Sequence, residues 1–403
     1  MSTITDKNKI EGVLTRGVDT IYPNKKRLEE KMRRGERLTL YFGVDPTGFD
    51  LHIGHSVPLR KLAQFQQLGH RVILLIGDFT GMIGDPSGKD KTRKPLTREQ
   101  VLKNAKDYKR QAAKILDFDN KTNPIEIKFN SSWLAKLTLK EVVELAANFT
   151  VQQMIERDMF ERRIKEHQPI SLHEFLYPLM QGYDSVAMNV DMEIGGSDQT
   201  FNMLAGRTLM DKILHKEKFV LSVPLLTDSR GVKIGKTEGN IIAICAEPND
   251  LYGKIMALGD DVIIKTFEYC TDVPMEKIHQ MEKDLKTGLN PKDYKARLAY
   301  EIVKIYSGEK AAQKAGEEFK KQFAEKKTPT EIPEVTINGK ATLLEIIKSI
   351  GLASSGSESK RLIEQKGIKI NGKPIVSWKD KINFKIGDIL QRGRKFKKIK
   401  KII

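Results

Sequence analysis

The chain has 403 residues, 39% of them hydrophobic and 31% charged, which is enough to bury a core and too many for one ordinary domain; two or three are expected. Its two cysteines, Cys245 and Cys270, lie far apart without metal-ligand spacing, which excludes a disulfide scaffold and fits a reducing compartment. Of the net charge of +17, 11 fall in 341–403, where 16 Lys and Arg face 5 Asp and Glu. That segment also carries a folded pattern, so a polyanionic partner is expected there in preference to a merely solvated basic tail.

In chain order, the N-terminal stretch is polar and mixed in charge, with no apolar leader. The longest apolar run, Val72–Ile76, is far short of a membrane span. A cytoplasmic protein that does not enter a membrane is expected. Leu38–Val44 reads as a strand, followed by a turn and a helix over His52–Leu68. Arg71–Phe79 is a second strand, apolar on both faces, and Ile125–Phe129 a third. The charged helical stretch around 137–166 interrupts the alternation and reads as an insertion suited to subunit contacts. Helix Ser171–Asn189, strand Asp191–Ile194, helix Gln199–Leu214 and strand Phe219–Leu226 resume it. This alternation predicts an α/β fold with a Rossmann-like parallel sheet.

Beyond Asn249 the pattern is helical, with Asn290 and Pro291 marking one helix start. Pro329 and Pro333 fall in a linker or extended crossover. A small α+β module closes the chain, with helices Leu343–Ile350 and Ser357–Lys366 and an Asn371-Gly372 hairpin signal. The expected domains are 1–230, 231–325 (helical), a linker over 326–340, and 341–403.

Three groups of residues carry chemistry. In LHIGH, His52, Gly54 and His55 stand where a strand turns into a helix, whose unpaired N–H groups and dipole favour phosphate. Alone, the pattern fits a pair of surface histidines equally well. In KIGKT, Lys233, Lys236 and Thr237 surround a glycine that lets two cations close on a polyphosphate, or else form a basic surface loop. Tyr177, Gln181 and Asp184 recur on one face of a helix, as a polar substrate stripe or a solvated one. The remaining histidines (His70, His167, His173, His215 and His279) are isolated and read as structural or surface residues.

HIGH and KIGKT together, with YFGVDPTGFDLHIGH, IGDPSGK and IGGSDQ, resemble the bacterial tyrosyl-tRNA synthetases of class I along nearly the whole chain. The basic end looks like their S4-type RNA-binding domain. The resemblance implies a tyrosine–tRNA ligase that uses ATP with Mg²⁺, binds tRNA(Tyr) and forms a homodimer, with no metal site of its own. It implies that Tyr177, Gln181 and Asp85 hold the tyrosine ammonium while Asp184 and Tyr41 bond the phenol. Asp198 and Gln199 would address the ribose and the substrate backbone, and Gly196 would permit close approach. Thr47, His52, Lys233, Lys236 and Thr237 would meet the pyrophosphate, with His55 near the sugar. Gly43, Asp45 and Gly54 join the ATP site, and Lys89 and Arg93 resemble mobile cations for pyrophosphate. Lys360, Arg361, Lys369, Arg394 and Lys395 are the RNA candidates.

Two positions depart from that pattern: Phe42 stands where many relatives have cysteine, and Glu193 where glutamine is common. A tryptophanyl-type synthetase, a small nucleotidyltransferase and a synthetase-derived RNA-binding protein are the competing readings.

Overall fold

The computed structural model describes residues 2–87, 96–156, 158–227, 231, 234, 241–323, 332–339, 341–379, 382–393 and 395–403. They form two compact units, 1–313 and 314–403, the division falling inside helix Glu309–Phe323.

The first unit is built on six strands: β1 (Thr20–Tyr22), β2 (Thr39–Val44), β3 (Arg71–Ile76), β4 (Glu126–Phe129), β5 (Met192–Gly196) and β6 (Phe219–Val223). They lie in the order β1-β6-β5-β2-β3-β4, all pairs parallel except β1 with β6. Burial on both faces explains why β3 and β6 are almost wholly apolar. The chain runs outward from β2 to β4 on one side and from β5 to β6 on the other. The carboxyl ends of β2 and β5 therefore flank the switch point, where open α/β sheets bind ligands.

Helix Ile53–Gln67 follows β2, and helices Leu172–Met188 and Thr200–Leu214 flank β5. The expected insertion holds three short helices, Leu139–Ala146, Val151–Ile155 and Asp158–Lys165. It is tied down by a bidentate pair, Arg163 with Glu174, whose side chains are almost wholly buried. Glu174 Oε1 also accepts the Ser171 N–H, so the same carboxylate caps helix Leu172–Met188.

Further helices run from Pro248–Met256 to Pro291–Ser307, the last capped by Asn290 as expected. They are fastened to the sheet region by side chains that reach backbone carbonyls. Arg16 donates to Glu268 and Thr271, and Lys114 to Tyr306.

The second unit has a five-stranded sheet in the order β7 (Glu334–Ile337), β11 (Lys395–Ile402), β10 (Ile389–Arg392), β8 (Ile368–Ile370), β9 (Lys373–Pro374). Helices Leu343–Ser349 and Gly356–Glu364 cover a core that includes Ile346, Ile347, Ile363, Leu390 and Ile399. Asn371 and Gly372 both take positive φ, 50° and 82°, as the two-residue hairpin demands. The segment read as an extended crossover contributes β7, which pairs parallel with β11.

Candidate active site

A cavity of about 360 Å³ opens at the switch point. Its walls come from β2 (Tyr41, Gly43), the following turn (Asp45, Thr47), the start of helix Ile53–Gln67 (His52, Gly54, His55) and Asp85. Tyr177, Gln181 and Asp184 enter from one face of helix Leu172–Met188, and Gly196, Asp198 and Gln199 from the end of β5. Fourteen residues given a site role from the sequence thus line one space, as do Phe42 and Glu193. The polar stripe on that helix faces the cavity and not solvent.

Asp184 is 2% exposed, yet both carboxylate oxygens have donors. Trp133 Nε1–H donates to Oδ1 at 2.7 Å and Asn130 Nδ2–H to Oδ2 at 3.3 Å. Burial pushes this carboxyl well above the usual carboxylate range; the two donors oppose that, and the charges of Glu193 and Asp45 add to it. Burial, with Glu193 nearby, likewise raises the Tyr41 phenol, so its hydroxyl stays protonated. It lies 3.0 Å from Ser185 Oγ. The cavity wall therefore carries both a buried carboxyl and a phenolic hydroxyl, the latter also hydrogen-bonded to Glu193, and a ligand hydroxyl needs such a pair.

The three residues expected at the ammonium each have a partner in the chain. Tyr177 O–H donates to Asp45 Oδ2 at 2.8 Å, Gln181 Nε2–H to Glu193 Oε1 at 3.0 Å, and Gln199 Nε2–H to Asp85 Oδ2 at 2.7 Å. Thr80 Oγ1 donates to the other Asp45 oxygen at 2.7 Å. Asp85 is also bonded to the Ser87 N–H at 2.9 Å, and Asn202, fully buried, bridges Ser87 and Gln199.

At the helix start the two histidines first serve the backbone. His52 Nδ1 accepts the Gly54 N–H at 3.2 Å and His55 Nδ1 accepts the His52 N–H at 3.3 Å, their rings 3.8 Å apart. Acceptance at Nδ1 puts the ring proton of each neutral imidazole on Nε2. A Cβ on Gly54 would stand 3.0 Å from the His52 ring and 3.1 Å from the Ile234 carbonyl. Ile234 belongs to KIGKT. The chain after that motif pairs with the residues before the helix: Ile53 N–H donates to Ile242 O and Ile244 N–H to Leu51 O, at 2.9 and 3.1 Å. Ile234, the one described residue of the second motif, thus lies against the first. Close approach at Gly54 and at Gly196 serves the protein itself, because a Cβ on Gly196 would meet Asp198 at 2.6 Å.

The chain matches the class I tRNA synthetases for tryptophan and tyrosine over residues 32–324, and the S4 domain over 342–378. The tyrosine–tRNA ligase of Mannheimia succiniciproducens is 45% identical, over 94% of this chain and 95% of that one. The chain belongs to the tyrosine–tRNA ligase family. The ligase of Moorella thermoacetica is likewise 45% identical over 96% of this chain and 94% of its own length. A C-terminally truncated mitochondrial tyrosyl-tRNA synthetase of Coccidioides posadasii superposes with a TM-score of 0.63 at 25% identity, covering 77% of this chain and 92% of that one.

For a tyrosine–tRNA ligase family member, several residues that shape this site escaped the sequence reading. Asn130 and Trp133 approach from the end of β4, and Thr80, Ser185 and Asn202 from three other elements. No local pattern links them to their partners across the site; the rarity of tryptophan, of which the chain has two, is the one signal that could have pointed to Trp133. Lys89, Arg93, Lys233, Lys236 and Thr237 lie outside the described residues, as does Arg394. In the second unit Lys360, Arg361, Lys369 and Lys395 are exposed, and Lys360 Nζ lies 5.0 Å from the centre of the Trp378 ring.

Proposed function

We propose that this member of the tyrosine–tRNA ligase family joins tyrosine to the 3′ end of tRNA(Tyr) in two steps within this cavity. In the first, a tyrosine carboxylate oxygen attacks the α-phosphorus of ATP. The bond to the bridging oxygen breaks, and pyrophosphate leaves with the electron pair. In the second, a hydroxyl of the terminal ribose of tRNA attacks the tyrosyl carbonyl and AMP departs. The attacking carboxylate is already ionised at neutral pH, so the first step rests on positioning and charge stabilisation. Mg²⁺ enters with ATP as part of the substrate.

The observation that carries the reading is Asp184, a buried carboxyl held by Trp133 and Asn130 in the cavity wall that also carries the Tyr41 hydroxyl. In this reading they take the substrate phenol, and Tyr177, Gln181 and Asp85 take the ammonium. Thr47, His52 and His55 meet the nucleotide phosphates and sugar with Gly43, Asp45, Gly54, Gly196 and Asp198, while Gln199 holds the substrate backbone. Lys233, Lys236, Thr237, Lys89 and Arg93 supply the hydroxyl and positive charge for pyrophosphate. Residues 1–230 act as catalytic domain, 231–325 as helical anticodon domain and 341–403 as RNA-binding domain, joined by 326–340. Lys360, Arg361, Lys369, Arg394 and Lys395 contact RNA phosphates, so RNA affinity falls with salt. The active form is a cytoplasmic homodimer.

Pyrophosphate exchange with tyrosine, phenylalanine and tryptophan tests the first step; exchange is expected with tyrosine and not with the other two. No exchange with tyrosine sinks the reading. Removing residues from 335 onward should weaken aminoacylation far more than exchange, and equal loss of both would show that the tail supports folding instead.

A further inference from the structure

Behind the cavity wall lies an ion pair that the roles assigned above do not use. Glu193 and Lys218 bond to each other with 2% and 0% of their side chains exposed. Glu193 lines the cavity, whereas Lys218 does not. Lys218 stands one residue before β6 and reaches between helices Leu172–Met188 and Thr200–Leu214 through a gap that two glycines keep open. A Cβ at Gly206 would come 2.5 Å from Lys218 Nζ, and one at Gly182 would come 3.1 Å from the Gly206 nitrogen. In this gap Lys218 Nζ donates to Glu193 Oε2 and, at 3.1 Å, to the Met203 carbonyl.

Burying two charges costs several kcal/mol per ion before their attraction is counted, so such a pair is weak evidence for stability. Its geometry points to a different use. An ionised carboxylate accepts hydrogen bonds and donates none. Glu193 Oε1 therefore takes the NH₂ end of the Gln181 amide, at 3.0 Å. That choice commits the other end of the amide, the carbonyl oxygen, to the remaining side of Gln181, which lines the cavity. A carbonyl oxygen there accepts from an ammonium group; an NH₂ would repel one.

We propose that Lys218 is a positioning residue for the amino-acid pocket: by pairing with Glu193 it makes that side chain an acceptor, and so sets which end of the Gln181 amide meets the substrate ammonium. The inference rests on the amino-acid-activating reading of the same cavity. It concerns a residue that touches no substrate and acts through one that lines the pocket.

The decisive variant is Glu193→Gln. Lys218 still demands an acceptor, so it takes the carbonyl of the new amide. The NH₂ is then left facing Gln181, which must turn over and present its own NH₂ to the substrate. Adding Lys218→Met removes that demand and lets the carbonyl at 193 face Gln181 again. In pyrophosphate exchange with the full-length protein, Glu193→Gln should raise the tyrosine KM roughly tenfold or more, the scale of one lost hydrogen bond to a charged group. The ATP KM should change much less, and the double variant should recover most of the tyrosine KM.

The role is overturned if Glu193→Gln leaves the tyrosine KM unchanged. It is also overturned if the tyrosine and ATP constants worsen together, or if the double variant is no better than the single one. Thermal unfolding confirms that each variant is folded. Should Glu193→Gln fail to fold, Lys218→Met strips the buried carboxylate of its cation; such a group neutralises by taking a proton, can then donate to the Gln181 carbonyl, and so carries the same expectations against the double variant. Wild-type exchange with another amino acid in place of tyrosine would sink the substrate assignment alone, since the KM for that amino acid still reads the effect of Lys218.

Discussion

Asp184, almost wholly buried in the cavity wall, accepts two hydrogen bonds from side chains. A carboxylate has lone pairs for both donors and for a ligand hydroxyl as well. An asparagine has one acceptor oxygen, so in Asp184→Asn either Trp133, Asn130 or the ligand phenol is left without a partner. Leaving a buried donor unpaired costs about 2 kcal/mol, roughly 30-fold. Asp184→Asn is therefore expected to lower kcat/KM for tyrosine by about that factor in pyrophosphate exchange. Phenylalanine has no hydroxyl to lose, so its own rate should change far less and the preference for tyrosine should narrow. This is the discrimination that a site built around a substrate hydroxyl provides, for which tyrosyl-tRNA synthetase is itself a standard example. An unchanged tyrosine-to-phenylalanine ratio in a folded variant would remove Asp184 from the phenol site.

Among the elements, β2 owes its start to a histidine. His70, fully buried, accepts the Leu38 N–H on Nδ1 at 3.2 Å, just before β2, while its own carbonyl accepts from Asn123 at 2.9 Å. Its Nε2 meets no acceptor among the described residues. Burial, with Arg37 close by, lowers the imidazole to about 4. The folded value lies below the ordinary 6.5, so the unfolded chain takes up the proton first as pH falls. The stability that His70 contributes is thus fully present above pH 6.5 and drains away toward pH 4, by about 3 kcal/mol. Urea unfolding between pH 4 and 7 should show this slope in the wild type and a shallower one in His70→Asn; equal slopes would show that the histidine plays no part. The sequence left His70 as a structural or a surface residue, because nothing local told that it is buried or which strand it serves. The same limit runs through the rest of the fold. β3 and the Asn371-Gly372 turn were legible because an apolar run and a turn dipeptide act locally. β11, written KFKKIKKI, has no period-2 pattern; it becomes a strand because β7, distant in sequence, and the neighbouring β10 supply its partners and Ile399 enters the core. At the site, helical spacing put Tyr177, Gln181 and Asp184 on one face, and only the resemblance turned that face toward a substrate; Trp133, Asn130 and Lys218 reach the site only through tertiary packing.

For the whole molecule, the insertion between the two halves of the sheet poses the question of assembly. Leu139, Val143 and Val151 of the insertion are 80%, 60% and 66% exposed, and Leu172, at the start of the next helix, 80%. Loose packing does not account for this, because the same segment is anchored from its other side. Leu145 and Met154 join Leu179 and Leu209 in a buried cluster, and Arg163 pairs with Glu174. Leu139 and Val143 stand four residues apart on one helix and so share a face. Covering both by a second copy would gain about 3 kcal/mol or more for each protomer face, over a hundredfold in dimer Kd. Placing carboxylates there removes that gain and adds a desolvation cost. Leu139→Glu with Val143→Glu should therefore sediment as a monomer at concentrations where the wild type is dimeric, with its far-ultraviolet circular dichroism unchanged. A variant that stays dimeric would move the contact to another surface, and a wild type that sediments as a monomer would end the dimer reading altogether.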